Sequence, residues 1–126
     1  MRPVRQAIQD LSAAFAARDA TAALACFVGD NEIAYAGSEA SESATGREQV
    51  ESLFKEIFAR AEAYSWRVTT ATVREYRDCA YVYATAEGLA RTDAGEEIPF
   101  AYRISGLLEP AAGAWRWRHC HGGEPT

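Results

Sequence analysis

Residue 63 divides the chain by hydrophobic period. Before it, apolar residues recur every three to four positions; after it, they alternate. Four β-rich runs follow, at 64–76, 79–91, 97–108 and 114–121. The breaks between them are Arg77-Asp78, Thr92-Asp93-Ala94-Gly95 and Glu109-Pro110-Ala111-Ala112-Gly113. A parallel crossover needs about a dozen residues or more, so breaks this short dictate an antiparallel meander. Helices first and a meander after predict an α+β architecture, with the N-terminal helices packed on one face of a strongly curved, mainly antiparallel sheet. Gly88 and Gly106 fall inside the long runs and are expected to mark bulges that curve it.

The helical half has clear stripes. Val4, Ile8, Leu11 and Phe15 make one face of a first helix. A second, short helix is expected after Arg18-Asp19, turning Leu24 and Phe27 inward and capped near Gly29. Residues 31–36 alternate as a short strand, and the small, polar stretch 37–46 is predicted to be a loop or lid. Thr45 and Glu48 have capping-box spacing. The helix they introduce carries Val50, Leu53, Phe54, Ile57, Phe58 and Ala61 inward, with Glu51–Lys55 and Glu56–Arg60 as outer i,i+4 pairs. No repeat, linker or low-complexity block interrupts 1–126, so one domain is expected.

Composition shapes the core of such a fold. Hydrophobic residues are 48% of the chain, yet only 17 are Val, Ile or Leu, against 26 alanines and 14 aromatics. The bulk must come from rings, whose hydroxyl and indole N–H tips need partners when buried. A curved sheet with helices on its concave side forms a cone, and a cone of this size keeps an internal pocket.

Charge and termini exclude other classes. The net charge is −5, and residues 30–62 hold eight acids against three bases. That disfavours a nucleic-acid or anionic-membrane surface. No apolar run approaches the ~18–20 residues of a membrane span, and the N-terminus lacks a signal-peptide core, so a cytoplasmic protein is expected. Cys26, Cys79 and Cys120 are sparse and odd in number, as reduced thiols are. Twelve arginines against one lysine, with the alanine excess, match a GC-rich bacterial genome.

The order of elements and several motifs resemble the NTF2-like superfamily, and within it the SnoaL-like branch related to ketosteroid isomerase and to a kinase association domain. The resemblance is carried by AARDATAALACF with DNEIAYAG behind it, by GSEASESATGREQVESLF, and by Tyr102-Arg103-Ile104 followed by AWRWRHCHGGEP. It spans about residues 4–125. It implies a cone-shaped α+β barrel, commonly a homodimer through the sheet, and leaves the activity open. Aligned without gaps, the donor and base positions of the isomerases fall on Leu11, Tyr35 and near Tyr102. The isomerase acid–base set is therefore unmatched, and a phenol of pKa about 10 is a poor base at neutral pH.

The site candidates follow. On a strand His119 and His121 point the same way as Trp115 and Trp117, opposite Arg116, Arg118 and Cys120. A metal would need a third ligand that no spacing supplies, so neither a metal nor a cofactor is expected. His119 or His121, with Glu42 of the loop, are the candidates for cofactor-free acid–base chemistry of isomerase, dehydratase or cyclase type. Arg103 matches the branch pattern before the last hairpin. With Arg118 it suggests a positive site for a ligand carboxylate, since 103–121 holds three arginines and one acid. Tyr35, Trp66, Tyr83 and Tyr102 are the expected aromatic wall. The expected partners are thus a small molecule, anionic or polar, and a second copy of the chain. The alternative is a non-catalytic assembly module in which the Trp/His face of the last strand makes the oligomer contact.

Overall fold

The structure is a computed structural model and describes residues 1–125. Helix α1 spans Val4–Ala16, and Val4, Ile8, Leu11 and Phe15 are all buried along it, as their spacing predicts. Helix α2, Ala20–Ala25, starts at Asp19, whose carboxylate accepts the Ala22 N–H at 3.0 Å. It ends in a right-handed cap at Cys26, so Gly29 is not its C-cap. Phe27 instead enters the core, and the chain on either side of it pairs with Trp117: Trp117 N–H donates to the Cys26 carbonyl and Val28 N–H to the Trp117 carbonyl.

Strand β1 is Ala34–Ala36, β2 is Ser43–Thr45 and helix α3 is Arg47–Phe58. The presumed 37–46 loop is thus a hairpin whose return arm is β2. Thr45 is paired with Ala34, which holds it in a strand and removes it from the cap position. Gly46, at φ +83°, takes that position, and Asn31 Oδ1 accepts the first free amide, Arg47 N–H, from a distance in sequence. The meander is β3 (Glu62–Glu75), β4 (Ala80–Thr92), β5 (Glu97–Ala111) and β6 (Ala114–Gly123). The sheet order is β2-β1-β6-β5-β4-β3, with only the β1–β6 pair parallel. It curves around the helices without closing.

Part of the free β3 edge is covered by α1. Along β3, side chains of α1 replace the missing strand: Ser12 Oγ donates to the Trp66 carbonyl (2.9 Å) and accepts its N–H (2.8 Å), and Gln9 accepts the Val68 N–H. A capped edge of this kind does not recruit another chain.

Two bulges bend the meander, one between Val68 and Thr70 and one opposite Leu107–Leu108. The second falls next to Gly106, where a Cβ would stand 2.0 Å from the His119 carbonyl oxygen. Gly88 has a different task from the expected one. It faces Phe100 across the ladder, and a Cβ there would stand 2.2 Å from the ring.

The β6 bulge matters most. Leu107 pairs with His119 but Leu108 pairs with Trp117, so Arg118 is the extra residue. One inserted residue inverts the alternation beyond it. Trp117 and Cys120 are both fully buried, whereas His119 and His121 are exposed. The shared Trp/His face predicted from strict alternation therefore does not exist.

Candidate functional site

Small residues make the inner face of β4, and one of them, Ala90, lines a cavity. Ala80, Ala84, Ala86 and Ala90 are buried along one face of β4, and the rings sit around them. Phe15 of α1 packs edge-on against Phe54, Phe58 and Trp66, at 5.5, 4.9 and 5.0 Å between centroids. Beyond this cluster the space between α1, the end of α3, the β1–β2 hairpin and β3–β5 is not filled. The cavity measures about 260 Å³. Tyr64, Trp66, Phe100 and Tyr102 form its continuous aromatic wall, with Trp66–Tyr102 at 5.0 Å and Phe100–Tyr102 at 5.8 Å.

Glu42 is the buried acid of this cavity. The hairpin that carries it is tightly tied: Gly37 N–H donates to the Glu42 carbonyl (2.7 Å) and Glu42 N–H to the Glu39 carbonyl (2.9 Å). Its carboxylate is held at both oxygens, Oε1 by the Glu39 N–H at 3.0 Å and Oε2 by the Arg60 guanidinium at 2.9 Å. Gly37 leaves the room for it, because a Cβ there would stand 2.7 Å from Oε1. Arg60 had been assigned by spacing to an outer pair with Glu56. Helix α3 ends at Phe58, which frees Arg60 to turn back to Glu42 and, at 3.6 Å, to Glu39.

The phenols at the base of the cavity are neutral donors. Burial, followed by the proximity of Tyr102, pushes the Tyr35 hydroxyl well above its ordinary pKa. Burial, followed by Cys120, raises Tyr102 as well. The Glu42 charge acts on both in the same direction. Gly122 of β6 keeps the Tyr102 tip in place, since a Cβ there would lie 1.8 Å from the hydroxyl oxygen. A fixed carboxylate beside a pair of protonated phenols can accept a proton from a bound molecule while the phenols hydrogen-bond an oxygen that gains charge.

The expected site residues divide between two faces. Glu42, Tyr35, Trp66 and Tyr102 line the one cavity. Arg103, Tyr83 and His121 lie in a shallow cleft on the opposite, outer face of the sheet, and His119 is exposed on that face too. Arg103 and Tyr102 are adjacent on β5, so a strand cannot turn both inward. Arg118 is engaged elsewhere: it bonds both carboxylate oxygens of Glu109, at 2.9 and 2.8 Å, and also Asp30 and the Glu32 carbonyl. These partners keep Arg118 as a tie between β6 and the 30–32 segment. Sequence reasoning missed Arg60, Glu62, Tyr64 and Glu124 as cavity residues. The available signal for Arg60 was that a helix ending at Phe58 leaves it outside the i,i+4 frame.

The placement of Arg103 gives a direct expectation. Arg103→Ala should leave small-molecule binding in the cavity unchanged and alter stability by no more than about 0.5 kcal/mol, as exposed substitutions do. Titration of both proteins with one carboxylate compound checks this, and selective loss in the variant would contradict the geometry.

Among the described residues, no three His, Cys, Asp or Glu side chains gather as a metal-binding group, and no helix is long and apolar enough to cross a membrane. No curated protein matches the chain significantly. Solved structures of similar fold do exist. A provisionally named dehydratase of the NTF2-like family from Streptomyces avermitilis has a TM-score of 0.81 at 15% identity, covering 98% of this chain and 94% of its own. A provisionally named calcium/calmodulin-dependent protein kinase type II association domain from Thiobacillus denitrificans has 0.79 at 20%, covering 100% and 98%. A ketosteroid isomerase-like protein from Erwinia carotovora atroseptica has 0.76 at 20%, covering 98% and 94%. At such identities the likeness establishes the fold alone. The family model for the SnoaL-like domain matches residues 4–125. With the helix-then-meander order, the bulged last strand and the aromatic cavity in place, the chain belongs to the SnoaL-like domain family, on the NTF2-like fold.

Proposed function

We propose that the protein binds a small molecule in the aromatic cavity and moves a proton on it without a cofactor, with Glu42 as the acid–base group and the Tyr35–Tyr102 pair as hydrogen-bond donors. The observation that carries this reading is the position of Glu42, a buried carboxylate anchored by Arg60 on the wall of a cavity that Phe15, Tyr64, Trp66, Phe100 and Tyr102 also line. Isomerisation, dehydration and cyclisation all need such a step, and a dehydratase and an isomerase-like protein are named among the structures of similar fold. His119 and His121 are not assigned to the reaction, because they stand on the outer face. A cytoplasmic setting suits the three free thiols.

A second reading, assembly through the sheet into a homodimer, is favoured by Tyr81 and Tyr83, which are 47% and 41% exposed on the outer face of β4. The two readings separate experimentally. Ala90→Leu fills the cavity, because Ala90 lines it. It is expected to weaken binding of 3-phenylpropanol at least tenfold, followed through Trp66 fluorescence, with the mass by light scattering unchanged. Tyr83→Glu is expected to lower the mass and leave binding intact. If the wild-type protein binds no compound of this size, the cavity reading fails and the assembly reading remains.

A further inference from the structure

We infer that the cavity selects an organic cation, a compound with a protonated or quaternary amine on a small aromatic or alicyclic body. The inference rests on the cavity reading above and names its ligand class.

The charge census of the cavity drives the argument. Glu39, Glu42, Glu62 and Glu124 line it, and among the described residues Arg60 is the only lysine or arginine that does. Arg60 is already held by Glu42 at 2.9 Å and Glu39 at 3.6 Å. Its charge is spent within the wall, and Glu62 and Glu124 remain to face a ligand. The arginine expected to receive a carboxylate, Arg103, does not line the cavity; it lies in the outer cleft, which shares Gly37, Ser38 and Glu124 with the cavity's rim. An anionic ligand would therefore enter against three excess negative charges with no guanidinium open to it.

The walls complete the case. A cation is attracted to the face of an aromatic ring within about 6 Å of its centre. Tyr64 and Phe100 are perpendicular neighbours at 79°, and Phe100 and Tyr102 at 89°. These rings, with Trp66, line the cavity. The phenols register the same field. Burial first, then the charge of Glu62, raises the Tyr64 hydroxyl, and the charges of Glu42 and Glu124 add to the rise at Tyr102. Acids at the rim with rings below would draw a cation in and hold it after it sheds water.

The test uses three probes of one shape at pH 7 and low salt: 3-phenylpropylamine, which is protonated there, 3-phenylpropanol and 3-phenylpropanoate. The amine is expected to bind at least tenfold tighter than the alcohol, and the carboxylate more weakly than the alcohol. About 0.5 M salt should erase most of the amine's advantage, because the rim acids are solvated and screened. The double variant Glu62→Gln/Glu124→Gln should reduce the amine's preference over the alcohol at least threefold. An amine bound no tighter than the alcohol, or a preference untouched by the double variant, overturns the inference and leaves the cavity reading standing. Failure of all three probes to bind overturns both.

Discussion

Replacing Trp117 by alanine is expected to destabilise the protein by about 3–5 kcal/mol, the range for truncating a large buried ring. Trp117 is fully buried at the centre of β6, its backbone pairs with the Cys26–Val28 segment through both N–H and C=O, and its ring lies against Gly106. The substitution opens a cavity where the meander, the α2–β1 connection and the bulge meet. Typical domains hold only about 5–15 kcal/mol in total, so the loss approaches the whole reserve of a weak one. Trp117→Phe is the informative control. The indole N–H has no hydrogen-bond partner among the described residues. Phenylalanine removes that unpaired donor, whose burial costs about 1–3 kcal/mol, and so offsets part of the lost packing. Urea denaturation followed by circular dichroism should rank the proteins wild type, Trp117→Phe, Trp117→Ala, with a wide gap before the last. An unchanged midpoint for Trp117→Ala, accompanied by a change in mass, would return Trp117 to an oligomer face and refute the bulge.

Loss of Glu42 should have the largest chemical effect. Exchange of the benzylic α-protons of phenylacetone in deuterated buffer reports proton transfer without the natural substrate. In the proposed reaction the Glu42 carboxylate would take the α-proton and become a carboxylic acid, the C–H electron pair would move to form an enolate, and Tyr35 and Tyr102 would hydrogen-bond its oxygen. A deuteron would then return to carbon. Positioned acid–base catalysis contributes about 10²–10⁴-fold, so Glu42→Gln should lower exchange by that factor with the ketone's Kd within threefold. Tyr102→Phe should lower it by about 10²-fold, as removal of one oxyanion donor does. The pH profile carries a further sign. Both phenols have pKa values above the ordinary 10, so they stay protonated and exchange should show no phenol-dependent decline below pH 10. Stability follows the same direction. The contribution of the neutral phenols is complete below the unfolded tyrosine pKa of about 10 and is lost as pH rises from there toward the folded values. Exchange equal in wild type and Glu42→Gln would remove Glu42 from the chemistry.

The four meander runs were legible because a strand with one buried face advertises itself by period two. The predicted 97–108 and 114–121 runs match β5 at Glu97–Ala111 and β6 at Ala114–Gly123 in place, differing only at their ends. The first helix was legible for the same reason at period 3.6. Errors arose where one residue changes parity or a contact is distant. The extra Arg118 inverts the face of His119 and His121 relative to Trp117, and nothing local in AWRWRHCH announces it. Asn31 caps α3 from 16 residues upstream, so the local Thr45–Glu48 spacing pointed to the wrong group. Of the cavity lining, Tyr35, Trp66 and Tyr102 were expected as the ring part of an alanine-rich core, and Glu42 as the acid of the 37–46 motif.

The sequence by itself determined the α+β order, the meander, the membership in a family with a cone-shaped fold, and a core of alanines and rings. The order, the meander and the core follow from periodicity and composition, which are local properties of the chain, and the membership from the resemblance of its motifs to the family. Tertiary structure decided which charges share a space. Arg60 joins Glu42 only because α3 stops at Phe58 and the hairpin folds back, while Arg103 is sent to the outer face by the same alternation that turns Tyr102 inward. Charge matters through distance and solvent exclusion, and both are set by the fold. An arginine-rich last hairpin therefore suggested a site for anions, and the cavity presents carboxylates and rings instead.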